Sequence, residues 1–241
     1  MKKLNWLGVL LITIGSFTFV YYFIDWYDAR KTVEALTSTE IEQYKNINAF
    51  TNDNKDAITK LEESHAQHNL PKQEPNFTNT KEPSPESQKQ VPSSQVQHQM
   101  GEQIAYMVIP KIKQKYQIYW GADAKTLKKG VGMFVSDITT TPSGNGHTVL
   151  SGHRDTVFTN LGDLQEGDYI LVEYDKRIYT YQIHKHWITD SNDRTVIIAK
   201  DKPTLTLTTC YPFNYIGDAP NRYIIEASLV LVQTFFEDIK K

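Results

Sequence analysis

The sequence predicts a mainly β domain, a closed or nearly closed barrel of seven or eight strands with one or two short helices, carried behind an N-terminal membrane helix and a tether. Three observations predict it. Ten of the twelve glycines lie at or beyond Gly101, where turn residues separate short runs rich in Val, Ile, Tyr and Thr, the residue types that fit a pleated, half-buried surface. Only residues 123–129 of that region suggest a helix, whereas a parallel α/β sheet needs one between most strands. Residues 4–24 carry no charge at all, which sets the start of the chain apart from the rest.

As a helix, those 21 residues match the ~30 Å hydrocarbon core of a bilayer. Lys2 and Lys3 precede them, Trp6 lies near one end, and Tyr21, Tyr22, Trp26 and Tyr27 crowd the other, as aromatic side chains do at membrane interfaces. A cleaved signal peptide is the alternative. Its apolar core is usually only ~7 to 15 residues, and no small-x-small cleavage site follows here, so residues 1–25 read as an uncleaved signal anchor. Lys2 and Lys3 against Arg30 and Lys31 decide orientation poorly by count. A cytoplasmic N-terminus, with the remainder outside the membrane of a single-pass protein, rests partly on the character of the rest of the chain.

Residues 26–70 are a polar juxtamembrane segment free of Gly and Pro. Val33, Leu36, Ile41, Tyr44, Ile47 and Phe50 recur in it at loosely helical intervals, enough for one or two marginal helices. Residues 71–100 read as a linker, with five of the ten prolines at positions 71–92 among Gln, Ser, Lys and Glu. Such a composition buries too little apolar surface to offset chain entropy. Semi-extended at about 3.1 Å per residue, it would hold a folded unit well away from the membrane.

Residues 101–241 form the barrel domain. Strands are expected at 105–109, 148–151, 169–173, 177–188, 195–199, 204–209 and 222–232. Composition narrows what the domain can do. With 26 Lys+Arg against 28 Asp+Glu and a net charge of -2, the chain lacks the basic excess that nucleic-acid phosphates demand. A single cysteine excludes an intrachain disulfide and a multi-thiolate metal site.

That cysteine, Cys210, ends the run Thr204-Leu205-Thr206-Leu207-Thr208-Thr209, in which strand alternation puts Leu205 and Leu207 on one face and Thr204, Thr206, Thr208 and Cys210 on the other. A lone cysteine is often just a small buried hydrophobe. Its place at a strand end before Tyr211-Pro212-Phe213, and the liability of an unpaired thiol outside the cytoplasm, favour a working group. Arg222 opens the last long strand twelve residues later. If the two strands are neighbours, their connected ends meet, and a guanidinium beside the thiol could bind the charge developing on a carbonyl oxygen under attack. The alternative for Arg222 is a solvated strand end or an ion-pair partner. His153 follows Thr148-Val149-Leu150-Ser151-Gly152, an apolar strand running into glycine, and imidazole is the usual proton-transfer partner of a thiol nucleophile. His147, in the turn after Ser143-Gly144-Asn145-Gly146, is a weaker rival. His184 and His186 lie two apart on one strand as a possible metal pair, but no third ligand stands at a convincing spacing.

Thr206-Leu207-Thr208-Thr209-Cys210 matches the Thr-Leu-x-Thr-Cys signature of sortases, the membrane-anchored cysteine transpeptidases of Gram-positive bacteria. Gly152-His153-Arg154 and Asn221-Arg222-Tyr223 resemble the family's other two catalytic segments, in the same order. The resemblance covers roughly residues 103–232 and implies an eight-stranded sortase barrel. It implies Cys210 as nucleophile, His153 as general acid and base, and Arg222 as stabiliser of the oxyanion or positioner of substrate. It further implies cleavage of a Leu-Pro-x-Thr-Gly or Leu-Pro-x-Thr-Ala signal after Thr, through a thioacyl enzyme. Transfer of the secreted protein to a peptidoglycan amine follows.

The resemblance requires no metal or organic cofactor, although some relatives bind calcium. Thr209 and the segment 189–203 are where the resemblance implies the substrate groove. The short Cys-to-Arg loop, the Tyr211-Pro212-Phe213 continuation, and the lack of an Asp-Pro-aromatic lid or a second span after Phe235-Phe236 resemble class D sortases, for which a Leu-Pro-Asn-Thr-Ala type of signal is implied. Two other readings stay open: a thiol hydrolase that cleaves without transfer, and a non-catalytic barrel that binds wall polymers.

Overall fold

The computed structural model describes residues 2–42, 44, 89–214, 217 and 219–234. Helix α1 (Lys2–Arg30) contains the apolar stretch Trp6–Ile24, long and apolar enough to cross a membrane, and runs five residues past the expected anchor. Two residues later the chain enters strand β1 (Val33–Ala35), followed by a helical turn at 38–42. Among the described residues beyond α1, the expected helical pattern therefore holds for that turn only. At Val33 the backbone finds a strand edge to pair with, and ladder hydrogen bonds outweigh a marginal helix that is weak by itself. Ile47, Phe50 and the linker at 71–88 lie outside the described residues, as do 235–241.

From residue 89 the chain lies on the barrel. Pro92 bridges Thr140, and the buried Ser93 accepts from the Ser136 amide and donates to the Ser136 carbonyl. The linker expected to reach residue 100 thus gives way to folded chain about ten residues earlier. Polar Gln and Ser side chains here satisfy barrel backbone groups, so composition alone misjudges them.

The barrel strands are β2 (Gln103–Ile109), β3 (Gln114–Trp120), β4 (Val131–Met133), β5 (His147–Ser151), β6 (Tyr169–Tyr174), β7 (Arg177–Asp190), β8 (Thr204–Tyr211) and β9 (Asn221–Thr234). They run in the order β3-β2-β6-β7-β9-β8-β5-β4, and β4 pairs back onto β3 to close the ring. Eight strands close the barrel, with β1 outside it. Pairings are antiparallel except β3–β4 and β5–β8. Period-two alternation fills the interior with Met107, Tyr116, Ile118, Leu150, Ile170, Val172, Leu205, Leu207 and Ile225. Eight strands leave an interior just wide enough for such side chains to fill.

Two barrel strands escape the sequence reading. In β3, Tyr116, Ile118 and Trp120 alternate with polar neighbours and are all buried; β4 has only three residues, too short for a periodic signal. Conversely, the β-rich run 195–199 is an irregular loop between β7 and β8. β8 already pairs with β9 and β5, so no edge is open to this run. Asp193 instead accepts from the Thr189 hydroxyl and from the Thr195 amide and hydroxyl, which bends the chain. The expected helix at 123–129 shrinks to Ala124–Leu127, started by Asp123, whose carboxylate accepts from the amides of Lys125 and Thr126.

Candidate active site

Along β8 the alternation read from the sequence is realised. Leu205 and Leu207 are sealed in the core, while Thr208 and Cys210 face outward. On β9, Arg222 lies directly opposite Cys210 and Ile224 opposite Thr208, so each pair shares a face. Cys210 is a free, half-buried thiol. Arg222 is held by its own strand entrance: Nη1 donates to the carbonyls of Ala219 at 3.2 Å and Asn221 at 3.0 Å.

β5 runs parallel to β8 on the other side, with Ser151 opposite Thr208. Past its end, the Gly152 amide donates to the Thr208 carbonyl at 3.2 Å, and the Thr209 hydroxyl donates to the Gly152 carbonyl at 2.8 Å. These bonds splice the start of the His153 turn onto the end of β8, and His153 leaves the sheet at the level of Cys210. The turn closes where the Phe158 amide meets the His153 carbonyl at 2.9 Å. Gly152 is required there, since a Cβ would stand 2.7 to 2.8 Å from the side chains of Val157 and Phe158. Three residues remote in sequence thus reach one rim of the barrel: Cys210 and Arg222 by register, His153 by the β5–β8 splice.

Beside this rim is a cavity of about 240 Å³. Ala122, Leu127, Phe134, Val196, Ile197 and Ile224 make its apolar wall, and Thr208, Arg222, Thr189 and Asp193 its polar side. Thr208 is two residues from Cys210, about 7 Å along a strand, so the cavity opens alongside the thiol. The hydrogen bonds from Thr189 and Thr195 hold the Asp193 carboxyl below the usual carboxylate range. Of the segment 189–203, residues between Thr189 and Ile197 contribute to the cavity wall. Ala122, Leu127 and Phe134 had no local signal, because they come from the connections around β4, whose place depends on barrel closure.

Thr209 differs from its expected place in the groove. Strand alternation turns it away from Cys210, it is only 3% exposed, and its hydroxyl is spent on Gly152; it orders the His153 turn and does not line the cavity. His147, the rival histidine, begins β5 as a buried side chain. Its Nδ1 bonds the Ile198 carbonyl at 2.6 Å and its Nε2 the Thr206 hydroxyl at 2.7 Å. A carbonyl can only accept, so Nδ1 carries the proton and Nε2 accepts from Thr206. Burial, above all, holds this imidazole below the ordinary histidine range. His184 reaches Glu226 at 3.5 Å, His186 lies against the Tyr223 ring, and a register shift between Ile183 and Lys185 falls at His184. Among the described residues no group of three or more His, Cys, Asp or Glu side chains is arranged to hold a metal ion.

The family model described as "Sortase domain" matches residues 107–230, just over half of the chain. Sortase D of Bacillus subtilis (strain 168) is 44% identical over 126 residues, which is 52% of this chain and 63% of that protein, so the match spans somewhat less than two thirds of the curated relative. Among solved structures, the catalytic domain of B. anthracis SrtD superposes with a TM-score of 0.52 at 67% identity, covering 59% of this chain and 97% of that one. A Clostridium perfringens Sortase D5 transpeptidase gives a TM-score of 0.50 at 30% identity, over 56% of this chain and 82% of that one. A family match over more than half the chain, on the barrel that carries Cys210, His153 and Arg222, means that this chain belongs to the sortase family.

Proposed function

We propose that the protein is a membrane-anchored cysteine transpeptidase of class D type. On this reading it cleaves a Leu-Pro-x-Thr-Gly or Leu-Pro-x-Thr-Ala sorting signal after Thr and passes the acyl group to a peptidoglycan amine. The thiolate of Cys210 attacks the threonine carbonyl, forming a C–S bond and a tetrahedral oxyanion. Arg222 donates to that oxyanion; its two present contacts use Nη1 alone, so Nη2 and Nε remain to donate. As the C–N bond breaks, His153 gives a proton to the departing amine and leaves a thioester. The acceptor amine then attacks the thioester, His153 takes its proton, and the thiolate departs. No metal or organic cofactor enters this route.

The observation that carries the reading is the register of Cys210 with Arg222 beside a cavity walled by Leu127, Phe134, Val196, Ile197 and Ile224. That wall suits a branched aliphatic side chain such as the signal's leucine, with the scissile carbonyl two strand positions away at the thiol. Helix α1 would anchor the protein with its N-terminus in the cytoplasm and the barrel outside.

The test is turnover of fluorogenic Leu-Pro-x-Thr peptides by the full chain in detergent, with and without an added amine. Amide product forming only with the amine, and loss of cleavage in Cys210→Ala, are the expected results. Equal cleavage by wild type and Cys210→Ala would sink the mechanism. Cleavage to acid alone at every amine concentration would make the enzyme a hydrolase.

A further inference from the structure

Strand β4 covers only half of one edge of β3. It pairs with Ile118, Tyr119 and Trp120, so residues 114–116 have no barrel neighbour on that side. An open edge is a template for another strand. The juxtamembrane chain occupies it: Val33, Glu34 and Ala35 pair antiparallel with Tyr116, Lys115 and Gln114. The ladder is extended by the Gln117 amide to the Thr32 carbonyl at 3.3 Å and the Leu36 amide to the Lys113 carbonyl at 3.0 Å. Gly130, at the entrance to β4, admits this chain closely, since a Cβ there would stand 3.1 Å from the Thr32 hydroxyl.

The outer face of the barrel beside this edge is apolar. Val108 on β2, Leu171 on β6 and Ile178 on β7 face away from the main core yet are buried, because Leu36, Ile41 and Tyr44 pack over them. Polar contacts fix the position. The Tyr44 hydroxyl donates to Glu173, whose other carboxylate oxygen takes the Lys115 ammonium at 3.0 Å, and Lys115 also lies over the Tyr106 ring. Burial, and then the bond to Glu173, push the Tyr44 phenol well above its ordinary range, so it stays a donor. At the membrane end, the Arg30 guanidinium reaches the Asp155 carbonyl at 3.4 Å, two residues beyond His153. Only Lys31 and Thr32 separate the end of α1 from β1, so the chain from Arg30 to Val33 spans at most about 11 Å.

We propose that residues 32–42 with Tyr44 are a docking strap, which closes the β3–β4 seam and seats the barrel against the end of the membrane helix. The height of the active rim above the bilayer is then set by this strap and not by the length of residues 45–88. Docking stands or falls independently of the acyl chemistry.

Ala35 and Gln114 are register partners between two hydrogen-bonded pairs of the ladder, where Cα atoms approach to about 4.5 Å and a disulfide can form. In the full chain carrying Cys210→Ala, the pair Ala35→Cys and Gln114→Cys should cross-link about tenfold or more faster than a control pairing Ala35→Cys with Lys185→Cys on the exposed end of β7. In the cysteine-intact chain, the amides of Leu36 and Gln117 should be protected from hydrogen exchange. Tyr44→Phe combined with Ile41→Asp should reduce that protection several-fold while the β8–β9 amides of Leu207 and Ile225 keep theirs, which shows the barrel still folded. Cross-linking no faster than the control, or exchange of Leu36 and Gln117 at the rate of unstructured amides, overturns the proposal and makes the chain that follows α1 a free tether.

Discussion

At the rim, Cys210 and Arg222 face each other because they are register partners on adjacent antiparallel strands, a constraint that a neighbouring loop could not impose as tightly. Removing a preorganised oxyanion donor typically costs about 10² to 10³ in kcat. Arg222→Ala is therefore expected to lose that much with little change in melting temperature, and Arg222→Lys to recover only part, since an ammonium lacks the planar fork; steady-state kinetics beside a thermal melt check both. Thr209→Val removes one hydroxyl and leaves the Gly152 carbonyl, which is buried, without its partner, an effect of about 1 to 3 kcal/mol on stability. Because Thr209 acts through the His153 turn, its loss should lower kcat more than it changes KM. His147 makes a separate prediction. Its folded-state pKa lies below the unfolded value near 6.5, so the stability it contributes is present above that value and is lost as pH falls toward the folded pKa. The melting temperature should begin to drop as pH falls below about 6.5, and His147→Gln should flatten that drop.

Among the elements, the β7–β8 loop decides the shape of the cavity. Asp193 ties Thr189 at the end of β7 to Thr195, and so positions Val196 and Ile197 in the apolar wall. Asp193→Ala is expected to raise KM for the sorting peptide several-fold while leaving kcat nearly unchanged, because the wall loosens and the rim does not. Equal losses in kcat would place the loop's effect in the chemistry instead. His147 secures the far end of the same loop by its bond to the Ile198 carbonyl, so both ends of the cavity wall are pinned to strands.

For the molecule as a whole, barrel closure is the stabilising event, and Leu207 is a fair probe of it. It is fully buried and belongs to the main core. Leu207→Ala is expected to cost about 2 to 5 kcal/mol, read from the urea midpoint, and to do so without altering the register of Cys210 on the same strand. Helix α1 makes the other large-scale prediction. A charged residue at the centre of a membrane span costs about 2.5 to 3.5 kcal/mol on insertion scales, so Ile12→Asp with Ile14→Asp should move the full chain from the membrane pellet to the soluble fraction.

Much of this molecule was legible along the chain. Residues 4–24 announced, by length and lack of charge, a helix apolar enough to cross a membrane, and the alternation of Leu205 and Leu207 with Thr208 and Cys210 told which face of β8 would be dry. Period two and the apolar run are local properties, determined by which side chains a strand or a bilayer can bury. Other features were decided only in three dimensions. The run at 195–199 has every local mark of a strand and forms none, since β8 has no edge left for it. Val33 belongs to a helical pattern and becomes a strand, because the three residues of β4 leave an edge of β3 open. Thr209 points away from the groove, and Ala122, Leu127 and Phe134 reach the cavity through connections whose path exists only once the ring has closed. Strand pairing is a contract between distant segments, and sequence alone states what each segment can bury but not which partner will be free to receive it.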